Sequence, residues 1–480
     1  MNRRLLALAA AAVVLWPAAP AQAAPAAPTT PTPIDTYLRQ ALDGTGLPGL
    51  SAVVTHGDEV VHAAGYGHDS TGAPVTARTP MRVASVTKSF TATAVMTLVD
   101  AGKVALDEPV ADQLPEFRMA DPRAARVTVR QLLDQTSGLA DGGVDIPAAE
   151  STASPAAYVA ALRSGHLAAE PGTAWAYCNA NYEIAARLVE VAGGVGFGQY
   201  VRMHVFEPLG MTGSSVGGAA ADGHISLFGA WVARPELRAF GAHGGAGGVV
   251  TDAEDMGRWL IAQTGHGPQV VRPESLAAMH APSKVRDYAM GWGPTDVDGR
   301  ELLVHSGNLF TYTAVEAIDP ATGYGYAVMT NSAGLYDDTY EVLRGLVALT
   351  HGAEPPATGG QRQRIELVLK AADPRELILG VRAVAGGAAY LSPRIAQKVM
   401  TRLGGDRLAR AEAARRRLDR LTPRERDVLG GVGRGLSNQE IAAELRLSEG
   451  TVKAHVSAIL LRLGLNNRVQ AAILAYEAGG

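Results

Sequence analysis

Ser85 and Lys88 stand three residues apart in "MRVASVTKSFTATAVMTLVDAGKV", a stretch that reads as a buried helix stopped by Gly102. That spacing is about one helical turn, so hydroxyl and amine share a face. A serine hydroxyl is a weak nucleophile at neutral pH and needs a base beside it. A lysine one turn away can take the proton where burial or a neighbour keeps the amine neutral, and the partial positive charge of the helix N-terminus would favour an oxyanion. Alone the pair is a weak signal, because a capping serine followed by a solvated lysine has the same spacing. Two later stretches give it company. "PGTAWAYCNANYEIAARLVE" places Tyr177, Cys178 and Asn179 just before a helix. "LLVHSGNLFTYTAVEAIDPATGYGYAVMTN" places His305, Ser306, Gly307 and Asn308 on a strand that runs through a hairpin into another. Between them, Thr251 and Glu254 have the spacing of a capping box that opens a helix. Cys178 is the single cysteine, so no intrachain disulfide can form and no Cys-based metal site is expected. None of these residues calls for a metal or a cofactor.

The end of the chain carries a different chemistry. "LTPRERDVLGGVGRGLSNQEIAAELRLSEGTVKAHVSAILLRLGL" holds three helix starts in a row. Thr422 and Glu425 form a capping box with Pro423 at the first helical position, Ser437 and Glu440 form a second, and Ser448 can cap a third helix. Short capped helices joined by short turns are what a helix-turn-helix needs. On the third helix Val452, Val456, Ile459 and Leu463 recur at helical spacing as a core stripe. Lys453, Ala454 and Ser457 point the other way, where small residues beside a lysine can approach base edges in a major groove. A small helical bundle that binds protein has the same outward form.

Composition separates the two ends. The chain has 480 residues, 47% hydrophobic and 19% charged, which describes globular domains and excludes a disordered chain. Residues 361–480 hold 21 Lys+Arg against 12 Asp+Glu, whereas residues 1–360 hold 22 against 35. An acidic module repels nucleic acid and a basic one is drawn to phosphates, so two modules with different partners are expected. The N-terminus reads as a secretory signal at 1–23: Arg3 and Arg4, an apolar run from Leu5 to Trp16, and Ala21-Gln22-Ala23 as the cleavage site. A Pro/Ala/Thr-rich linker over 24–34 follows. No later stretch has 18 apolar residues in succession, so no transmembrane span is expected after the signal.

Ser-x-x-Lys, Tyr-x-Asn and His-x-Gly, in that order and widely spaced, resemble the penicillin-recognising serine hydrolases: class C β-lactamases, D-alanyl-D-alanine carboxypeptidases and related esterases. The resemblance covers residues 35–352 and implies an α+β β-lactamase/transpeptidase-like domain, an antiparallel sheet flanked by helices with an all-helical region. It implies Ser85 as the acylated nucleophile, Lys88 and Tyr177 as the proton-transfer pair, and Asn179 as holder of the substrate amide and the lysine. His305, Ser306, Gly307 and Asn308 would line the substrate, with the N–H groups of Ser85 and Asn308 as oxyanion hole. His305 stands where lysine is commoner and faces the substrate carboxylate. Gln135 stands where the family often has histidine, and Cys178 where serine is common.

Residues 421–480 resemble the LuxR-type DNA-binding domain, a small all-α helix-turn-helix unit. The resemblance implies Lys453, Ala454 and Ser457 near bases of duplex DNA, Thr451 and Arg468 near phosphates, and a last helix, Arg468 to Tyr476, that makes a homodimer. Residues 365–400 resemble the end of a response-regulator receiver, with Lys370 and Asp373 in place but the phosphoacceptor pocket missing. A linker at 353–364 precedes this remnant and a basic helical linker at 401–420 follows it. An exported, extracytoplasmic chain conflicts with a DNA-binding end that needs the cytoplasm. The truncated receiver favours a deletion that joined a hydrolase gene to the end of a regulator gene, or an assembly error that mimics one. Two functions are therefore carried forward: a serine hydrolase acting on peptide, β-lactam or ester carbonyls, and a transcription regulator whose hydrolase-like part is only a ligand sensor or an adventitious fusion.

Overall fold

The structure is a computed structural model that describes residues 31–140, 154–227, 230–234, 244–309, 311–333, 338–359, 418, 421–434, 436–463, 471 and 474–475. The expected signal, the receiver remnant, nearly all of the basic linker, Arg468 and most of the last helix lie outside the described residues.

The larger module is built on a six-stranded antiparallel sheet. Helix α1 (Pro33–Thr45) leads into β1 (Gly49–His56) and β2 (Glu59–Gly67). Helices α2 (Thr87–Asp100), α3 (Asn179–Gly193) and α4 (Ala253–Gln263) follow. Strands β3 (Gly293–Val297), β4 (Arg300–Leu309), β5 (Tyr312–Asp319) and β6 (Tyr324–Thr330) then precede α5 (Asp338–Thr350). The strand order is β2-β1-β6-β5-β4-β3. Side chains alternate between the two faces of a strand. Leu50, Ala52, Val54, Val315, Ala317, Tyr326 and Val328 therefore meet α1 and α5 in one core. Val53, Ala314, Ile318, Ala327 and Met329 belong to the other core, with α2, α3, α4 and the short helices Val129–Leu133 and Pro155–Ala161.

Nearly every residue of α2 is buried, including Lys88, so this helix is a core element with no solvated face. The expected single helix is divided. Met81–Arg82 is a short strand, Ala84–Val86 a 3₁₀ turn, and the α-helix begins only at Thr87. Ser85 therefore sits on the turn that feeds the helix. Preceding it, Ala84 takes a left-handed conformation at φ 48°, a costly backbone state for a residue with a Cβ. The surroundings hold it there: Val83 N–H donates to Val249 O at 3.2 Å, and Val249 N–H donates to Thr87 Oγ1 at 3.0 Å.

The expected box at Thr251 and Glu254 is displaced by one residue. Thr251 ends a strand over Val249–Thr251, and its hydroxyl pairs with Ser214 Oγ at 2.7 Å. Asp252 caps α4 instead, accepting from Asp255 N–H at 2.9 Å.

The C-terminal module has its own core. Helices α6 (Pro423–Gly433), α7 (Asn438–Leu445) and α8 (Glu449–Leu463) pack Val428, Leu429, Ile441, Val452, Ile459 and Leu463 together, with Val456 partly buried against them. Both capping boxes close, Thr422 with Glu425 and Ser437 with Glu440, and Ser448 Oγ accepts from Thr451 N–H at 3.1 Å. Among the described residues no helix is long and apolar enough to cross a membrane.

Candidate active site

Lys88 is the hub. Its Nζ lies 3.0 Å from Ser85 Oγ, 2.9 Å from Asn179 Oδ1 and 3.0 Å from the carbonyl oxygen of Ala246. The face of the Tyr177 ring lies over the same nitrogen, 4.8 Å from centroid to Nζ. Ser85 is half-buried, whereas Tyr177 and Asn179 are exposed, so the cluster is open on one side and closed behind the amine. Residues 85, 88, 177 and 179 are thus gathered as the spacing pattern implies.

Residues the motifs did not single out hold this geometry. Glu183 lies one turn after Asn179 on α3, and its carboxylate accepts from the N–H groups of Gly245 and Ala246 at 3.1 and 3.0 Å. That pins the segment whose Ala246 carbonyl touches Lys88. Gln135 acquires a reading too. It is buried at φ 63°, and its Oε1 accepts from Cys178 N–H at 3.0 Å and from Asn181 Nδ2 at 2.6 Å. One side-chain carbonyl therefore fixes the backbone between Tyr177 and Asn179. Cys178 is fully buried at the cap of α3, a small filler. Glu183 was visible in the sequence only as a charge inside an apolar helix, which is the pattern of a buried acid serving backbone donors.

Strand β4 closes the other side. A Cβ at Gly307 would lie 2.2 Å from Val83 O, 2.9 Å from Ser85 N and 3.0 Å from Ala84 Cβ. Only glycine lets the strand press against the turn that carries Ser85. His305 and Gly307 face inward, while Ser306 and Asn308, out of phase with them, are exposed. His305 Nδ1 lies 2.8 Å from Ser306 O, and a carbonyl only accepts, so Nδ1 carries the proton; Nε2 then accepts from Tyr288 OH at 3.1 Å. Burial first, and the charge of Lys88 second, push the imidazole down to about 3, against the opposing bond to Ser306. His305 is therefore a neutral brace with both nitrogens occupied. A neutral ring desolvated beside a lysine offers a substrate carboxylate no charge of its own.

On α8, Lys453, Ala454 and Ser457 are exposed along one side, as is Thr451 at the helix start. Lys453 Nζ sits 3.3 Å from Glu449 Oε1, an exposed pair, of a kind worth only about 0.3–0.5 kcal/mol and readily exchanged for a phosphate or base. His455 is half-buried, a packed residue. Among the described residues no cluster of His, Cys, Asp and Glu could hold a metal ion.

A beta-lactamase-type fold with a Ser-Lys-Asn centre narrows the class, and comparison with known proteins places the chain within it. The chain belongs to the beta-lactamase family, whose pattern matches residues 34–351, and its residues 419–475 match the bacterial regulatory proteins of the luxR family. Penicillin-binding protein 4 of Amycolatopsis lactamdurans is 30% identical over 352 residues, covering 65% of this chain and 89% of that protein. Protein flp of Staphylococcus aureus (strain COL) is 25% identical over 322 residues, and the chain spans 62% of its length. The octameric penicillin-binding protein homologue from Pyrococcus abyssi shares the fold at TM-score 0.61 and 24% identity, over 69% of this chain and 80% of that one. D-amino acid amidase from Ochrobactrum anthropi SV3, complexed with L-phenylalanine amide, shares it at TM-score 0.57 and 25% identity, over 67% and 99%.

Proposed function

We propose that the larger module is a serine acyl-transfer hydrolase acting on peptide, β-lactam or ester carbonyls. The arrangement of Lys88 carries this reading. Its Nζ is within hydrogen-bond reach of Ser85 Oγ and of the carbonyl oxygens of Asn179 and Ala246; once the amine gives up its proton, two N–H bonds to those carbonyls would leave its lone pair facing Ser85 Oγ. Ser85 Oγ attacks the carbonyl carbon as its proton passes to Lys88 Nζ. The oxyanion is held by the N–H groups of Ser85 and Asn308. Tyr177, beside the amine, gives a proton to the leaving group as its bond breaks and takes back the one held on Lys88, which leaves the amine neutral again. Water then repeats the cycle on the acyl-enzyme. A fluorophosphonate or fluorescent penicillin should label the protein at Ser85 and leave Ser85→Ala unlabelled. Ester turnover should fall by about 10²–10⁴-fold in Lys88→Ala and Tyr177→Phe, the usual weight of acid–base steps. Undiminished turnover in Ser85→Ala refutes the assignment, and labelling without turnover would favour a ligand sensor.

For the C-terminal module we propose binding of duplex DNA, with Lys453, Ala454 and Ser457 toward bases and Thr451 and Arg468 toward phosphates, as a homodimer through the last helix. We propose further that the N-terminal signal directs the chain out of the cytoplasm, which would leave this module without DNA to meet. Mass spectrometry of the native protein, giving its N-terminus, mass and cell fraction, decides between export and a cytoplasmic regulator.

A further inference from the structure

With His305 neutral and both its nitrogens engaged, the site needs another cation if its substrate is anionic. Arg286 is placed for that. It lies on the loop before Tyr288, and its guanidinium stacks on the Trp175 ring, 4.3 Å from Cζ to the centroid. Trp175 in turn adjoins Tyr177, with ring centroids 6.5 Å apart, and Tyr288, 5.9 Å away. Tyr177 covers Lys88 and Tyr288 bonds His305. Arg286 therefore stands at the rim of the catalytic cluster, one indole ring beyond Tyr177.

Three features suit it to hold a ligand. It is exposed, and among the described residues no carboxylate pairs with it. Stacking on an indole fixes the plane of the guanidinium while leaving its edge donors free, the geometry that grips a carboxylate by two parallel bonds. The loop beneath is tied to itself: Ser283 Oγ donates to Arg286 O at 3.0 Å, Tyr288 N–H donates to the same oxygen at 2.7 Å, and Ser283 N–H donates to Tyr288 O at 2.9 Å. Lys284, also exposed, adds a second positive charge to this loop, and the exposed Asp287 one negative charge, so the loop keeps a net positive charge. The surrounding residues 1–360 carry 22 Lys+Arg against 35 Asp+Glu, so an anionic substrate meets general repulsion and needs a local anchor.

We propose that Arg286, oriented by Trp175, is the specificity-determining residue that selects substrates bearing a carboxylate remote from the attacked carbonyl. This rests on the acyl-transfer reading above. The test compares two aryl esters, one with a carboxyphenyl leaving group and one with the uncharged carbamoylphenyl counterpart, on the full-length protein. Wild type should favour the carboxylate by about tenfold in kcat/KM, as a charge-assisted bidentate pair permits. The preference should hold unchanged from pH 6 to 9, because guanidinium does not titrate there, and shrink with added salt. In R286Q the ratio should fall toward one, and in R286K, which keeps the charge but loses the fork, it should lie between. Fluorophosphonate labelling run in parallel reports whether Ser85 is reactive. Hydrolysis of both esters with no preference in wild type, or a preference that survives R286Q, overturns the proposal. A preference that titrates near pH 6.5 returns the anchor to a histidine. No labelling and no hydrolysis would instead remove the acyl-transfer reading itself.

Discussion

Gly307→Ala tests how far the proposed chemistry depends on the close approach of β4 to the turn that carries Ser85. The added methyl would sit 2.2 Å from Val83 O, more than 1 Å inside an ordinary contact of about 3.5 Å. Neither side can yield by rotating a side chain, because the atoms it meets first are backbone: Val83 O, then Ser85 N at 2.9 Å. Relief requires the strand or the turn to retreat by roughly 1 Å, and a displacement of that size costs about 10²-fold in rate where reacting groups must be aligned. Overpacking of this kind costs about 1–3 kcal/mol in stability, which in a module this large moves Tm by only several degrees. The expected signature is therefore a split: fluorophosphonate labelling and ester turnover down about 100-fold, with a cooperative melt a few degrees lower. Gly293→Ala is the control, since a methyl there meets nothing nearer than Val304 O at 3.5 Å, and its labelling rate should stay within about threefold of wild type. Labelling of Gly307→Ala at the wild-type rate would refute the reasoning and detach β4 from the alignment of Ser85.

Gln135→Met should lower Tm by several degrees and slow turnover as well, because the buried Cys178 N–H and Asn181 amide lose their acceptor, at about 1–3 kcal/mol for each group left unsatisfied; Gln135→Glu, which keeps an acceptor, should recover part of both. Glu316 is buried, accepts from Trp259 Nε1 at 2.8 Å, and is pushed by burial from 4.5 up to about 8. The folded state therefore holds a proton that the unfolded state has lost between those values, and stability should fall as pH rises through that window. The buried His280 and His305, depressed to about 4 and about 3, act oppositely and only below about pH 6.5. Urea midpoints should thus decline from pH 6.5 to 8 in wild type and stay level in Glu316→Gln, and parallel slopes would remove Glu316 as the cause. On the C-terminal module, Lys453→Ala should cost about 1–3 kcal/mol on a preferred DNA site and less on random duplex, read by gel shift at two salt concentrations; equal losses on both would make Lys453 a phosphate contact.

What could be read from the sequence and what could not divide along a physical line. That Ser85, Lys88, Tyr177, Asn179 and Gly307 gather in one place was legible, because a serine-based acyl transfer limits which residue types could serve and the order of the motifs does the rest. The capping boxes at Thr422 and Ser437 were legible because each is closed within four residues. Thr251 failed by one position because Asp252 is as good a cap, and only the strand ending at Thr251 decides between them. The groups that hold the site were not legible, since they act across the chain. Glu183 reaches Gly245, 62 residues away, and Gln135 reaches Cys178 over 43. Lys88 illustrates the consequence. Its spacing from Ser85 is local, and the same spacing fits a solvated lysine on an exposed helix. What makes it a candidate base is that Asn179, Ala246 and the Tyr177 ring enclose it, and those come from two distant segments. His305 shows the converse. Its position on β4 is legible in the sequence, yet its protonation is not a property of the strand; burial first, and the neighbouring lysine second, hold it neutral with Tyr288 on Nε2, and so move the search for an anchor for an anion outward to Arg286.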